Sequence, residues 1–557
     1  MYATALPSRT ERQRPYAVLS IVAFGVFIAA IDLTVVSTML PQMIVDFEIP
    51  IPAGLDDAAW IVSAYLIAYT VAMPFMGRVS DLYGRRRTFV AGLALFAVSS
   101  LAVPLAPSLL WLIAARAAQA LGGGALVPVA MATVGDVFPI QRRAFAIGLL
   151  GAVDTIGWIW GPMYGGLLVR YGPELGRWLA ERWSVAAPLA GWGWQWVFYL
   201  NLPLSLLAMA AAWWGLRDSE PADVGARRSL DWAGVVLLSI GLVALNVGLS
   251  LSGGQASVSP SFDFSQAGPS GLERGLPWLI VGGLALVSFV WIESRTTGRL
   301  TKKLIPLGQH NTPLLAKVSA AVRHRPVQPL IDLAMFRQRN FALACLVNLV
   351  IGLALIVAMV DVPLFVNAVL VQDQSLDTLL RDAALQSGQI LTALTLTMSI
   401  ASVVGGWLCG RFGYRLPSLA GLLMSAAAFF LMSGWGPGQQ QLPMAAHLAL
   451  AGLGFGLVTA PVGAATIDSV SSDLRGVAAG LVLILRLMGM SIGLSALTAW
   501  GLHRFDVLSA AYSVLELDAG VVSAITARVL SETFLAAALL TLVGVGIAVG
   551  LRRGLVE

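Results

Sequence analysis

The sequence predicts an all-α polytopic membrane protein, from its composition, the spacing of its apolar runs and the sidedness of its arginines. Of 557 residues, 57% are hydrophobic and 12% charged, and mean hydropathy is +0.80, the profile of a chain that crosses a bilayer repeatedly. Apolar windows near twenty residues place fourteen helices, at 17–40, 58–76, 88–107, 109–134, 144–169, 194–216, 231–251, 276–293, 340–370, 384–409, 417–434, 444–467, 476–509 and 520–551. With both termini cytoplasmic, 26 of the 35 Lys and Arg fall inside and seven outside, while Arg116 and Arg486 lie within helices. That asymmetry sets the orientation.

The charge of +5 therefore reflects loops facing anionic headgroups, and no nucleic-acid partner is expected. The first apolar run is too long for a cleavable signal and lacks a small-residue cleavage site. Cys345 and Cys409 both fall in helices, so no disulfide framework is expected.

The chain divides into a cytoplasmic tail at 1–16, a six-helix bundle at 17–216, two inserted helices at 217–293, a basic cytoplasmic linker at 294–339 and a second six-helix bundle at 340–557. An internal repeat supports this division. "GRVSDLYGRR" at 77–86 and "GWLCGRFGYR" at 406–415 share two glycines and a final arginine at an offset of 329 residues. Duplicated halves are the signature of secondary transporters, whose bundles rock about a site near the bilayer midplane. The last two helices are long: 475–515 holds no proline and extends to roughly 60 Å as one helix, against a bilayer core of about 30 Å. Either a helical hairpin projects from the outer face, or the excess is an amphipathic loop.

The motifs carry the chemistry. Gly77, Asp81, Gly84, Arg85 and Arg86 form a tight cytoplasmic turn with an acid and arginines suited to a latch that exists in one state of a rocking transporter; topology-setting charge explains the arginines alone. Asp136 and Asp468, at cytoplasmic helix ends, are expected to join the arginine latches. Arg116 within helix four needs a partner, since an unpaired charge there costs several kcal/mol. Asp32 in helix one lies within roughly 3 Å of its depth, so the two are expected to pair. Gly157, Gly161, Pro162, Gly165 and Gly166 allow close packing and a bend in helix five, with or without a coupling role.

"IDLTVVSTMLP", "GRVSDLYGRRR", "RAAQALGGG", "GWIWGPMYGG" and "GWQWVFYLNLP" together resemble the major facilitator superfamily, specifically its fourteen-helix drug:proton antiporter branch. Within it, "WIVSAYLIAYTVAMPFMGRVSDLYGRR", "VDVPLF" and "RLMGMSIGLSALTAWGLHRF" resemble the mycobacterial triacylglyceride exporters. The resemblance implies a bacterial cytoplasmic membrane protein, a proton gradient as energy source without a cofactor, and a periplasmic lipid-carrying lipoprotein as partner. It also implies the projecting hairpin. The chain departs from the pattern at Gly410, where the first repeat has Asp81, at Ala120 in place of a glycine, and at Thr155, where the resemblance expects the helix-five acid.

A carboxylate among apolar helices suits a proton carrier, because desolvation and a neighbouring arginine act on it in opposite directions as the cavity opens to either side. On this reading Asp32, with Arg116, couples protons, and Asp154 near the midplane is the second candidate. The alternative is an ionised Asp32 that locks helix one to Arg116 permanently. Asp361 and Arg486 are further cavity charges, at depths that argue against a direct bond unless the bend at Pro363 brings them together.

Other chemistries find no support. None of the three lysines precedes Ser or Thr, so no phosphate loop exists for ATP. His310, His324, His447 and His503 lack metal spacing, and no nucleophile with a base appears, so neither a metal site nor an enzyme is expected. The chain therefore reads as a proton-coupled exporter of lipophilic substrates, foremost neutral lipids such as triacylglycerides, working by alternating access as a monomer among membrane lipids. A multidrug antiporter shares every antiporter motif and stays open as the alternative.

Overall fold

Backbone groups in hydrocarbon have no water to bond, so a spanning chain must satisfy them internally, which here means helices. The structure, a computed structural model, describes residues 14–49, 55–182, 192–217, 231–252, 271–304, 329–366, 369, 376–512 and 519–552. The first thirteen residues of the tail, 218–230 after the first bundle and 305–328 of the basic linker lie outside the described residues.

Among the described residues there are fourteen α-helices and no strand: α1 (Pro15–Asp46), α2 (Leu55–Tyr83), α3 (Arg85–Ala102), α4 (Leu109–Val137), α5 (Ile140–Arg182), α6 (Gln195–Gly215), α7 (Trp232–Ser252), α8 (Gly271–Leu304), α9 (Arg339–Phe365), α10 (Leu376–Phe412), α11 (Arg415–Met432), α12 (Gln441–Asp468), α13 (Arg475–Ser509) and α14 (Ala519–Val549). Thirteen are long and apolar enough to cross a membrane. The exception, α3, spends three of its 18 residues on Arg85, Arg86 and Arg87.

The helices pack as two repeats of one pattern. In the first bundle α1 touches α4, α5 and α6, α4 touches α2 and α3, and α3 touches α6. In the second, α9 touches α12, α13 and α14, α12 touches α10 and α11, and α11 touches α14. Adding eight to each helix number converts one set into the other. The bundles meet along two equivalent seams, α2 against α13 and α10 against α5. Small residues let the backbones touch there. A Cβ on Gly77 would run into the Gly476 carbonyl, and one on Gly406 into that of Ala144; Gly480 meets Met73 as Gly148 meets Ser402. Ser399 and Ser402 add hydrogen bonds to the carbonyls of Ala152 and Gly148, at 3.0 and 2.9 Å. These contacts lie in the arginine-rich half of the molecule, where the bundles are closed on each other.

The inserted helices α7 and α8 pack side by side, with Leu286 and Leu279 over Gly241 and Gly248. α7 lies across the α2–α13 seam. Towards α2 it presents the Trp232 ring, 6.3 Å from that of Phe75. Towards α13 it is hydrogen bonded: Ser491 donates to Asn246 Oδ1 at 3.0 Å and Ser495 to the Leu249 carbonyl at 2.7 Å. Within α8 the buried Glu293 accepts from the backbone N–H groups of Leu330 and Ile331, at 2.8 and 3.2 Å, and so ties down the last stretch of linker. α8 runs to Leu304, into the segment read as linker, because 294–304 holds no proline to stop a helix already propagating at one bond per residue.

Helix length departs most from expectation in α5. The sequence reading stops it at 169, but it continues to Arg182, 43 residues or about 65 Å. Pro173 falls inside it; Trp196 of α6 packs on Gly172, and Arg182 stacks over Trp178 at 4.8 Å. α13 and α14 also outrun a bilayer core, at 35 and 31 residues. Arg504 joins their outer parts through two hydrogen bonds to Glu532, of 2.8 and 2.7 Å.

Because the directed bonds of α7 go to α13, the inserted pair is expected to travel with the second bundle. Spin-label distances between α7 and α13 will stay constant through a transport cycle, while those between α7 and α2 change by several ångströms.

Candidate functional site

Three polar centres are built into the apolar frame. The first is the latch at the arginine-rich end. Gly84 has φ +103°, a conformation side chains resist, and it turns α2 sharply into α3. That turn brings Asp81 and the buried Arg85 together in an ion pair. Arg85 also donates to Asp136 at 3.0 Å and to the Ser472 carbonyl at 3.1 Å. Asp81 reaches across the seam and accepts from the N–H groups of Gly476 and Val477, at 2.9 and 3.0 Å. It thereby caps α13 of the other bundle, where free N–H groups and the helix dipole favour an anion. Arg475 closes the circle on Asp136 at 2.8 Å. Arg86 lies over the Trp213 ring of α6, on the flank of its own bundle.

The second seam carries its own latch despite Gly410. Arg143 pairs with Asp468, and Tyr414 donates to the same carboxylate at 2.6 Å. Burial, with Asp468 beside it, holds the Tyr414 phenol well above its ordinary pKa, so it remains a donor. Gly413 repeats the positive φ of Gly84.

The second centre surrounds Asp32, which is 0% exposed. Arg116, 1% exposed, donates to Asp32 Oδ2 at 2.7 Å. Gln119 and Asn201 each donate to Asp32 Oδ1 at 3.0 Å. Arg116 also donates to Gln119 Oε1 at 2.7 Å, and its guanidinium lies 4.0 Å from the Tyr65 ring centroid. Gln119 in turn donates to Ser100 at 2.8 Å. The carboxylate thus takes three donors from α4 and α6 and is sealed inside the first bundle in this conformation. Of this shell, the sequence reading named Arg116 and missed Gln119, Asn201 and Ser100. Gln119 stands one helical turn from Arg116, a spacing that puts both on one face.

Asp361 holds the equivalent place in the second bundle, 329 residues after Asp32. Its partner is Thr533 of α14, which donates at 2.5 Å as Asn201 of α6 donates to Asp32. Among the described residues no arginine accompanies it, because the repeat of α4 in α12 has apolar residues there.

The third centre is a cavity of about 50 Å³ between the bundles. Val26, Val127, Met131, Ile147 and Val482 make it apolar, and Asp154, Asn348, Thr459 and Arg486 supply its polar groups. Asp154 lies on α5 and Arg486 on α13, helices that the duplication makes equivalent, so two related positions hold opposite charges. Thr155, where the family resemblance expects the acid, faces away: it donates to the Gly151 carbonyl at 2.8 Å on the buried side of α5. One residue along a helix turns the side chain by about 100°, and here Asp154 takes the cavity position.

The helix-five glycines serve the approach of α5 to α1. Gly157, Gly161 and Gly165 meet Ala30, Thr34 and Thr38, while Gly166 has no neighbour within 4 Å of the place a Cβ would take. Pro162 removes the N–H that would bond Trp158 four residues back. Thr34 of α1 donates to that freed carbonyl at 3.2 Å. His447 accepts from Trp435 at 3.0 Å, and His310 and His324 lie outside the described residues.

The profile of the Major Facilitator Superfamily matches residues 22–494. The chain belongs to that superfamily. A triacylglyceride transporter of Mycolicibacterium smegmatis is 33% identical over 494 residues, covering 87% of this chain and 75% of that one. A probable triacylglyceride transporter of Mycobacterium leprae is 31% identical over 505 residues, covering 88% and 85%. Among solved structures, the human organic anion transporter MFSD10 superposes with a TM-score of 0.54 at 14% identity, over 95% of this chain and 99% of that one. A proton:xylose symporter superposes at 0.51 and 13%, over 94% of each. These last two establish the fold alone.

Two outcomes test the geometry of this transporter. Asp32→Ala leaves Arg116 buried without a counterion and is expected to cost about 3–5 kcal/mol, measured by unfolding of the purified protein. Gly77→Leu forces α2 off α13, and a cysteine placed at Ser402 is expected to label several-fold faster than in the parent.

Proposed function

We propose that this chain is a proton-coupled secondary exporter of lipophilic substrates, foremost neutral lipids such as triacylglycerides, working by alternating access in the bacterial cytoplasmic membrane. The observation that carries the reading is the closed arginine-rich end beneath a mostly apolar cavity that holds Asp154 and Arg486. By the positive-inside rule that end is cytoplasmic, so the described conformation is closed to the cytoplasm. Asp81 on the α13 N-terminus and the arginine bridges are the contacts that part when the cytoplasmic side opens. Relatives named as triacylglyceride transporters, at 31–33% identity, support the lipid as cargo.

Proton exchange falls to the two acids of the first bundle. Asp154 stands at the cavity and gains or loses its proton there. Asp32 is held by Arg116, Gln119 and Asn201, and takes part only in a state that loosens those contacts. The extended α5, α13 and α14 carry lipid beyond the outer headgroups to a periplasmic lipoprotein, and the chain works as a monomer.

The test is export of labelled triolein from proteoliposomes under an imposed pH gradient. Asp154→Asn is expected to abolish the gradient dependence with the protein folded, and Asp32→Asn to slow export. Gradient-driven export at the parental rate in both variants overturns the proton assignment. Efflux of cationic dyes with no triolein export by the parent protein replaces the lipid reading with multidrug antiport.

A further inference from the structure

Arg486 is 8% exposed and makes no hydrogen bond or ion pair among the described residues. Its Nε is fully buried without an acceptor. Its guanidinium lies 5.4 Å from the Trp158 ring centroid. Asp154 is near enough to act on it electrostatically but makes no direct pair. The other buried arginines, Arg78, Arg85, Arg116 and Arg143, each donate to an oxygen. Arg486 alone among them turns its donors into the cavity between the bundles, and leaving a buried charged donor unbonded costs several kcal/mol.

The rest of the lining narrows what fills this need. Asn348 donates one of its two amide N–H groups to the Val482 carbonyl, and Thr459 donates to the Phe455 carbonyl at 2.9 Å. The wall therefore offers one concentrated set of donors, a guanidinium with five N–H groups, in apolar surroundings. A pure hydrocarbon fits the apolar wall and leaves Arg486 unbonded. A cation can pair only with Asp154 and leaves Arg486 unbonded. An uncharged molecule with oxygen acceptors and no need of protein acceptors satisfies both, and it preserves the balance between Arg486 and Asp154.

We propose that Arg486 is a specificity-determining residue that selects apolar lipids bearing ester carbonyls, binding those oxygens in the cavity between the bundles. The inference rests on the lipid-export reading and deepens it, because it assigns selectivity to the ester groups and not to acyl-chain volume. Arg486 then rejects hydrocarbons of equal bulk and admits acylglycerols.

The experiment is equilibrium binding of radiolabelled triolein to the full-length protein in nanodiscs, with squalane, oleate and tetraphenylphosphonium as competitors, alongside triolein export by the same variants. Squalane matches the apolar character without any acceptor. Triolein is expected to bind the parent protein, squalane and tetraphenylphosphonium to compete poorly, and Arg486→Met to weaken triolein binding by about 10- to 100-fold, the loss of a charged hydrogen bond. Competition among ligands on the parent protein needs no variant, so it decides the matter even where Arg486→Met fails to fold. Squalane competing as well as unlabelled triolein, or Arg486→Met binding triolein as the parent does, overturns the inference while leaving lipid export standing. Oleate displacing triolein at far lower concentration than unlabelled triolein also overturns it, in favour of a carboxylate ligand. A parent protein that neither binds nor exports triolein overturns both readings.

Discussion

The carboxylate of Asp81 on the first N–H groups of α13 is the interaction on which the rest of this conformation depends. A helix N-terminus buried at a bundle interface presents donors that need an acceptor, and Asp81 supplies it from the other bundle. Arg85 fixes that carboxylate, Asp136 fixes Arg85, and Arg475 returns the chain of charges to the start of α13. The arrangement is possible only because Gly77 and Gly476 let the two backbones touch. With a Cβ at either place the cap and the arginines stand too far apart to bond.

Duplication then sets what lies above the latch. Equivalent helices bear equivalent positions, yet the two halves have diverged in charge. Asp32 retains an arginine and two amides, whereas Asp361 has a threonine alone among the described residues. Asp154 and Arg486 are a more pronounced case, since related places on α5 and α13 hold opposite signs. A cavity between such halves is dipolar, which suits a cargo with both an apolar body and a polar centre. The inserted helices break the symmetry. α7 covers the α2–α13 seam, and the hydrogen bonds of the inserted pair run to α13 and to the end of the linker.

Much of this was legible in the sequence for physical reasons. The pairing of Asp32 with Arg116 followed from depth alone, because a bilayer leaves few partners for a buried charge. The assignment of Asp136 and Asp468 to arginine latches followed from their place at helix ends on the basic side. Gln119, Asn201 and Asn348 were missed, since a neutral amide in an apolar helix has no unique reading until its neighbour is known. The length of α5 was missed because Arg170, Pro173 and Arg177 resemble a loop, and the packing of Trp196 on Gly172 that sustains the helix is a tertiary contact.

By itself the sequence determined the helical class, the sidedness of the charge, the duplication and the identity of the charged residues inside the bundles, all of which follow from local composition and the cost of polar groups in hydrocarbon. Tertiary structure alone decided which of those charges are sealed and which face the cavity. Asp32 and Asp154 look alike along the chain. Their difference comes from three donors on α4 and α6 that converge on the first, and from a turn of about 100° per residue on α5 that points the second at Arg486. Exposure and partnership depend on helix rotation and packing across hundreds of residues, and the local pattern does not contain them.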